Sequence, residues 1–359
     1  MNASATQAPA AASLRQRWPP RLPGLALTAA VAALALLLGQ QPALQSHGLS
    51  ALTLAIALGI GLGNTLYPRL APRAGAGVGF SKQWLLRAGI VLYGVRLTFQ
   101  DIGQVGVAGA LIDVTLVAST LLLGWWAGTR LFGLDRGSAL LIGAGSAICG
   151  AAAVMAAEPV LRARAEQVTV AVSTVVVFGT LAMFAWPLLY QLNLSHAWLP
   201  VGEHAYGVFA GSTIHEVAQV VAAGGAVSPA AADTAVITKM VRVMLLAPAL
   251  LGVSLLLARG TTAAPEAPRA RIVVPWFAFG FIAVAAFNSL QWLPSPLVHA
   301  LVQLDTLLLA MAMAALGLTT HVSALRRAGL KPLLLALLLF GWLLLGGLGV
   351  NLGVQALLA

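Results

Sequence analysis

Apolar residues along this chain neither alternate nor recur every third or fourth position. They run on, about 20 at a time, between short polar breaks. Such runs fall at 22–39, 49–66, 83–100, 104–127, 166–190, 233–257, 272–290, 300–320 and 330–357. A bilayer core takes roughly 20 apolar residues of helix, so the pattern predicts an all-α polytopic membrane protein with nine transmembrane helices. Two further segments, 137–160 and 204–227, are apolar but built largely of Gly, Ala and Ser. Each predicts a broken or re-entrant helix.

Composition agrees with the pattern. Of 359 residues 60% are hydrophobic and 8% charged, and the mean hydropathy is +0.92, which excludes a soluble globular domain. The net charge of +10 reports orientation here and not nucleic acid. With the N-terminus in the cytoplasm, nine alternating spans and both small-residue segments returning to the side they enter from, all basic residues outside the spans fall inside the cell. Arg96, Lys239 and Arg242 lie within spans. The expectation is a multi-pass membrane protein with a cytoplasmic N-terminus and a periplasmic or extracellular C-terminus. Residues 1–21 read as a disordered cytosolic tail and 22–359 as one transmembrane transporter domain. The run after the tail lacks a small-x-small cleavage pattern and reads as a retained first span. The joints at 67–82 and 258–271, rich in Pro and Gly, read as linkers. The single cysteine, Cys149, allows no intramolecular disulfide.

One small-residue segment occurs twice. "AGSAICGAAAVMAAE" at 144–158 and "AGSTIHEVAQVVAAG" at 210–224 share eight of fifteen positions, and the same offset pairs "AEQVTVAV" at Ala165 with "AADTAVIT" at Ala231. The repeat elements are 137–190 and 204–257. In the predicted topology they enter from opposite faces, as inverted repeats, a common plan of secondary transporters. Small residues let backbones approach closely and let a helix break. The amides of a broken helix suit an anion, and Gly145, Ser146, Cys149, Ser212 and Thr213 place small groups beside them. Tight packing without a ligand is the alternative.

Few ionisable groups lie in the spans, and each is costly there. Lys239 and Arg242 share one helix face and make an electropositive site; pairing with Glu216 is the structural alternative. His215 and Glu216, with Gln219 one turn on, could carry a coupling proton. A capping box running from Thr213 to Glu216 is the other reading. Asp113 could pair with Arg96 or bind a proton or sodium. Glu158 and Arg162 have the spacing of a helix pair, and Asn64 could line the path. No nucleotide-binding loop of the GxxxxGK[ST] kind occurs.

The stretches "LYGVRLTFQDI", "GAGSAICGAAAV", "STIHEVAQVVAAG" and "TKMVRVMLLAP" closely resemble the YeiH family of bacterial inner-membrane proteins, described as sulfate exporters. The resemblance covers the chain from about residue 24. It implies a polytopic transporter of a bacterial inner membrane, so that the C-terminus would be periplasmic, distantly related to bile-acid transporters and cation/proton antiporters with crossed broken helices. The matching positions are Ser146, Cys149, Gly150, His215, Glu216, Gln219, Lys239 and Arg242. In that superfamily the broken helices often cross the whole membrane, which here would put Arg162 and Arg164 outside; the charge distribution favours re-entrant segments.

Together these readings predict a secondary active transporter, not an enzyme, that exports sulfate, sulfite or a related organosulfur anion. Substrate would meet Gly145, Ser146, Cys149, Ser212, Thr213, Gln219, Lys239 and Arg242, with His215, Glu216 and Asp113 in coupling to a proton or sodium. No cofactor, metal or nucleic acid is expected; the lipid bilayer is the surrounding partner and a homodimer stays open. A cation/proton antiporter using Asp113 and Glu216 is the first rival, and a membrane enzyme using Cys149 with His215 the second.

Overall fold

The computed structural model describes residues 21–41, 50–197, 199, 201–258, 276–321 and 329–358. The expected tail and most of the joint at 258–271 lie outside them. No strand occurs among the described residues, and the apolar runs fold as helices. Within a bilayer a helix pairs its own amides, where an open strand could not.

The chain begins with α1 (Leu22–Leu38), α2 (Ala51–Thr65) and a rod made of α3 (Tyr67–Phe80), a π turn at Ser81–Leu85 and α4 (Leu86–Tyr93). α5 (Phe99–Trp126) is followed by a broken pair, α6 (Arg136–Ala147) and α7 (Ala151–Leu161), and then by α8 (Ala165–His196). A second broken pair, α9 (Glu203–Thr213) and α10 (Val217–Gly225), leads into α11 (Pro229–Met244) and α12 (Leu246–Ala258). The remainder is α13 (Trp276–Ser289), α14 (Ser295–Leu318), α15 (Leu330–Gly341) and α16 (Gly347–Leu358).

Five stretches are long and apolar enough to cross a membrane unaided: Phe99–Leu131, Glu166–His196, Pro229–Leu255, Ser295–Leu318 and Leu330–Leu358. The expected spans at 22–39, 49–66 and 272–290 fold as helices of 17, 15 and 14 residues. At 1.5 Å per residue these measure about 21 to 26 Å, short of a core of about 30 Å. The stretch 67–82, expected as a linker, is helical instead. Pro68 falls in its first turn, where an amide would lack a partner anyway, and its glycines let α1 nest: a Cβ on Gly77 would collide with the Arg21 carbonyl. Small residues also seat α2 on α14. A Cβ on Gly59 would lie 2.6 Å from the Ala314 carbonyl oxygen, and one on Gly317 would strike that of Ile56.

Each broken pair goes into the bundle and comes back. Asp135, which caps α6 by accepting from the Ser138 amide at 3.0 Å, also accepts from Gln167 Nε2 at 2.6 Å. The start of α6 and the start of α8 therefore lie together, and α6 and α7 double back between them. Likewise Ser228 Oγ, which caps α11, donates to Glu203 Oε2 at 2.5 Å, and Tyr206 Oη donates to the Ala223 carbonyl at 3.1 Å. The pairs enter from opposite ends. Tyr93 Oη donates to Asp233 at 2.9 Å, placing the start of α11 beside the start of α5; the 28 residues of α5 then run to the end where α6 begins. Arg162 lies past the end of α7 with φ +50°, so Glu158 and Arg162 do not share a helix as their spacing suggested.

In a Cys149→Ser background, single cysteines from Arg136→Cys and Arg162→Cys should react with an impermeant maleimide from one face of the membrane and one from Glu203→Cys from the other. Labelling of the Arg162→Cys and Glu203→Cys chains from the same face would contradict the doubling back of α6 and α7. Gly317→Val should destabilise the solubilised protein by about 1 to 3 kcal/mol through overpacking. Gly61→Val, whose Cβ meets nothing within 4 Å, should leave the unfolding midpoint nearly unchanged.

Candidate functional site

The tips of the two broken pairs meet against the C-terminal half of α11. Lys239 and Arg242, fully buried on that helix, are three residues apart and so face one way. Lys239 Nζ donates to the Ile148 carbonyl at 2.8 Å and to that of Ile214 at 2.6 Å. Arg242 donates through Nε to the Ala147 carbonyl, through Nη1 to that of Ser212 and through Nη2 to that of Ser146 at 2.9 Å. All five acceptors belong to the last turns of α6 and α9 or the residue just beyond. Helix C-termini carry unpaired carbonyls and the negative end of the dipole, so two cations between two such ends neutralise both. Lys239 does not pair with Glu216; among the described residues the ion pair is Arg96 with Asp305 at 2.7 Å. The Arg96–Asp113 pairing suggested by the sequence is thus replaced, because Arg96 also donates to Thr306 Oγ1 at 2.7 Å on the same turn of α14.

The breaks themselves are short. At the first, Gly150 takes φ +69°, a region where a side chain is strained, and its amide donates to the Gly145 carbonyl at 2.9 Å. A Cβ there would collide with Glu216 Cγ. At the second, Glu216 is the N-cap of α10; its amide donates to Gln219 Oε1 at 3.1 Å, the Gln219 half of a capping box. The box thus starts at Glu216, three residues later than the expected Thr213–Glu216 box, because α9 ends at Thr213 and α10 begins after Glu216. Thr213 instead donates to the Phe209 carbonyl at 2.5 Å and accepts from Trp186 Nε1 at 2.7 Å. Glu216 Oε1 also accepts from the Ala151 amide, the first of α7, at 3.4 Å. One residue therefore joins the N-termini of both returning helices, its backbone at the start of α10 and its carboxylate at the start of α7.

The remaining expected residues gather unevenly. Ser146 is buried with no hydrogen-bond partner for its hydroxyl among the described residues. Ser212 donates to the Phe209 carbonyl and accepts from Asn351 Nδ2. Gln219 Nε2 reaches Thr180 Oγ1 at 3.5 Å, and both ring nitrogens of His215 are buried without a described partner. Asp113 is buried with neither oxygen bonded among the described residues; its neighbours in sequence, Ile112 and Leu116, pack on Val208 of α9. Asn64 lies at the edge, donating to the Thr320 carbonyl at 3.0 Å.

A cavity of about 210 Å³ lies against the two returning N-termini, with Cys149, Ala151, Glu216 and Val217 on that wall and Lys82 and Arg87 opposite. A second space of about 340 Å³ adjoins it, sharing Arg87, Cys149 and Met155. At the far end of the bundle a third, of about 300 Å³, is lined by Tyr93, Arg96 and Asp233. Sequence reasoning counted Lys82 and Arg87 as cytoplasmic markers and missed their place here. The signal was available as two cations five apart at the head of an apolar run, and the π turn at Ser81–Leu85, which holds Lys82 and ends shortly before Arg87, is a device that often re-aims side chains at functional positions. No group of three or more His, Cys, Asp or Glu able to hold a metal occurs among the described residues.

Lys239→Ala should lower the unfolding midpoint, since each buried carbonyl left without its donor costs about 1 to 3 kcal/mol. Thermal unfolding in detergent reads this directly. An unchanged midpoint would show that the two carbonyls do not depend on Lys239.

A sequence profile for the family described as conserved hypothetical protein 698 matches residues 23–336. A UPF0324 membrane protein of Pseudomonas aeruginosa is 63% identical over 327 residues, 91% of this chain and 92% of the relative. A UPF0324 membrane protein of Yersinia pestis is 59% identical over 336 residues, 93% of each chain. The UPF0324 inner membrane protein YeiH of Escherichia coli K12 is 55% identical over 340 residues, 94% of this chain and 95% of the relative. No solved structure matches the chain.

Proposed function

The chain belongs to the conserved hypothetical protein 698 family, with the inner-membrane protein YeiH among its relatives, and we propose that it is a secondary active transporter of a small anion, exporting sulfate, sulfite or a related organosulfur anion across the inner membrane. The observation that carries this reading is the cavity whose one wall is two helix N-termini and whose other wall holds Lys82 and Arg87. Helix N-termini offer unpaired amides and partial positive charge to an anion, and tetrahedral oxyanions accept several such donors at once. The two broken pairs entering from opposite ends of the bundle support an inverted-repeat plan, with substrate at the crossing. On this reading Lys239 and Arg242 hold the outgoing ends of the crossing together, and the residues at the breaks shape the substrate side. The end carrying Arg136, Arg162 and Arg164 is cytoplasmic by the positive-inside rule. With no nucleotide-binding loop of the GxxxxGK[ST] kind in the sequence, the cycle on this reading is driven by coupling to a proton or sodium.

One observation favours a second reading, cation/proton antiport. Asp113 is a buried carboxylate with no hydrogen-bond partner among the described residues, and such groups in membranes bind protons or cations.

Counterflow of radiolabelled sulfate and sulfite in proteoliposomes tests the proposal. Wild type should exchange either label and be inhibited by the other oxyanion. Lys82→Ala and Arg87→Ala should each weaken exchange roughly 10-fold or more, as expected from losing a charge-assisted hydrogen bond of about 1.5 to 3 kcal/mol. Sodium-dependent proton movement without oxyanion exchange would transfer the assignment to antiport.

A further inference from the structure

We propose that the Glu216 carboxylate is a tethered occupant of the anion site, and that binding of a free dianion there is linked to uptake of one proton by Glu216. The inference rests on the transport reading and adds to it the identity of the coupling group and the stoichiometry.

Glu216 is the one carboxylate among the residues lining the cavity, and it already engages a donor an anion would use. Its backbone stands at the N-cap of α10, and its Oε1 reaches across to the first amide of α7. Gly150 makes that reach possible, because its missing Cβ is where the Glu216 stem passes. The contact is loose: at 3.4 Å it is longer than the roughly 2.7 to 3.2 Å of a well-formed bond. A carboxylate held this way can yield the α7 amide to a competitor while staying attached to the chain.

The charges around it set the stoichiometry. Lys82 and Arg87 face it from the rod of α3 and α4, Lys82 donating to Thr319 Oγ1 at 3.3 Å and Arg87 lying over the Trp84 ring. Cys149 faces it from the first break. From α11 the charge of Lys239 acts on it, although that ammonium is bonded to the Ile148 and Ile214 carbonyls. His215 precedes it in the chain. α8 offers Thr180 to Gln219, and α14 offers Ala312 and Leu316 to the cavity. With Glu216 ionised, the cavity wall carries two cations against one anion; with Glu216 protonated, it carries two cations alone, which matches a dianion such as sulfate.

The linkage follows from competition. A dianion that takes the α7 amide deprives the carboxylate of its donor and adds negative charge beside it, and both effects favour the protonated acid. By reciprocity, protonation of Glu216 tightens the dianion. No bond other than O–H forms or breaks. One proton joins Glu216 as the dianion binds and leaves as it departs, so anion and proton travel in the same direction.

The test is calorimetric titration of the purified full chain with sulfate, in two buffers of different ionisation enthalpy. Wild type should take up about one proton per sulfate, and its affinity should fall about tenfold per pH unit in the range where Glu216 titrates. Glu216→Gln, which keeps an oxygen for the α7 amide, should bind sulfate without proton uptake, and as tightly at about pH 8 as at about pH 6. Sulfate binding by wild type without proton uptake would overturn the inference, and this arm needs no variant to fold. Proton uptake that survives in Glu216→Gln would overturn it as well, assigning the proton elsewhere. A wild type that binds neither sulfate nor sulfite would instead overturn the transport reading and this inference with it.

Discussion

Helix ends inside a bilayer are the constraint around which this molecule is built. A helix that stops short of the interface leaves about four carbonyls or four amides with no partner, and hydrocarbon supplies none. Here four such ends meet at one level: the C-termini of α6 and α9 and the N-termini of α7 and α10. The negative ends are met by Lys239 and Arg242, which together contact five carbonyls of both tips. At the positive ends stands Glu216, whose backbone begins α10 and whose carboxylate touches the first amide of α7.

That division explains why ionisable groups are tolerated in the centre of the bundle. Each cation lies at the negative end of two dipoles and each of its bonds satisfies a carbonyl that would otherwise be orphaned, which offsets the cost of removing the charge from water. The positive ends are treated differently. They receive a single, incompletely engaged carboxylate, and across a cavity from it stand two more cations. The electrostatics are closed on one side of the crossing and open on the other, and the open side is where a ligand anion has donors to use.

Packing around the crossing serves the same end. α2 lies on α14 through glycines whose Cβ atoms would strike carbonyls, and α1 lies on α3 in the same manner, so these helices form a close layer without bulky side chains. Trp186 stacks on Phe209 at 5.8 Å and meets Phe340 at 5.1 Å, holding α8, α9 and α15 together behind the second tip. The Arg96–Asp305 pair joins the end of the α3 and α4 rod to α14. A crossing held this firmly on its carbonyl side leaves movement to the parts around the cavities at either end.

The sequence by itself determined that the chain is helical and membrane-embedded, because runs of apolar residues have no other stable fold in lipid. It also marked 144–158 and 210–224 as places where helices break, since only Gly, Ala and Ser allow the close approach found there. It selected Ser146, Cys149, Glu216, Lys239 and Arg242, all of which lie at the crossing, because polar groups are too costly in lipid to be incidental. What it could not determine was which partner each group faces. Lys239 and Arg242 read as free counter-charge, yet their partners are backbone carbonyls more than 90 residues away in the first tip, and a carbonyl has no sequence signature. Asp113 and Arg96 read as a pair, but Asp305, 209 positions beyond Arg96, takes that place. Lys82 and Arg87 read as markers of orientation, and only the tertiary structure brings them to line one cavity with the two returning N-termini. Residue types and spacing are local and survive in the string of letters; the pairing of charges with helix ends depends on contacts between distant segments, and only the tertiary structure decided it.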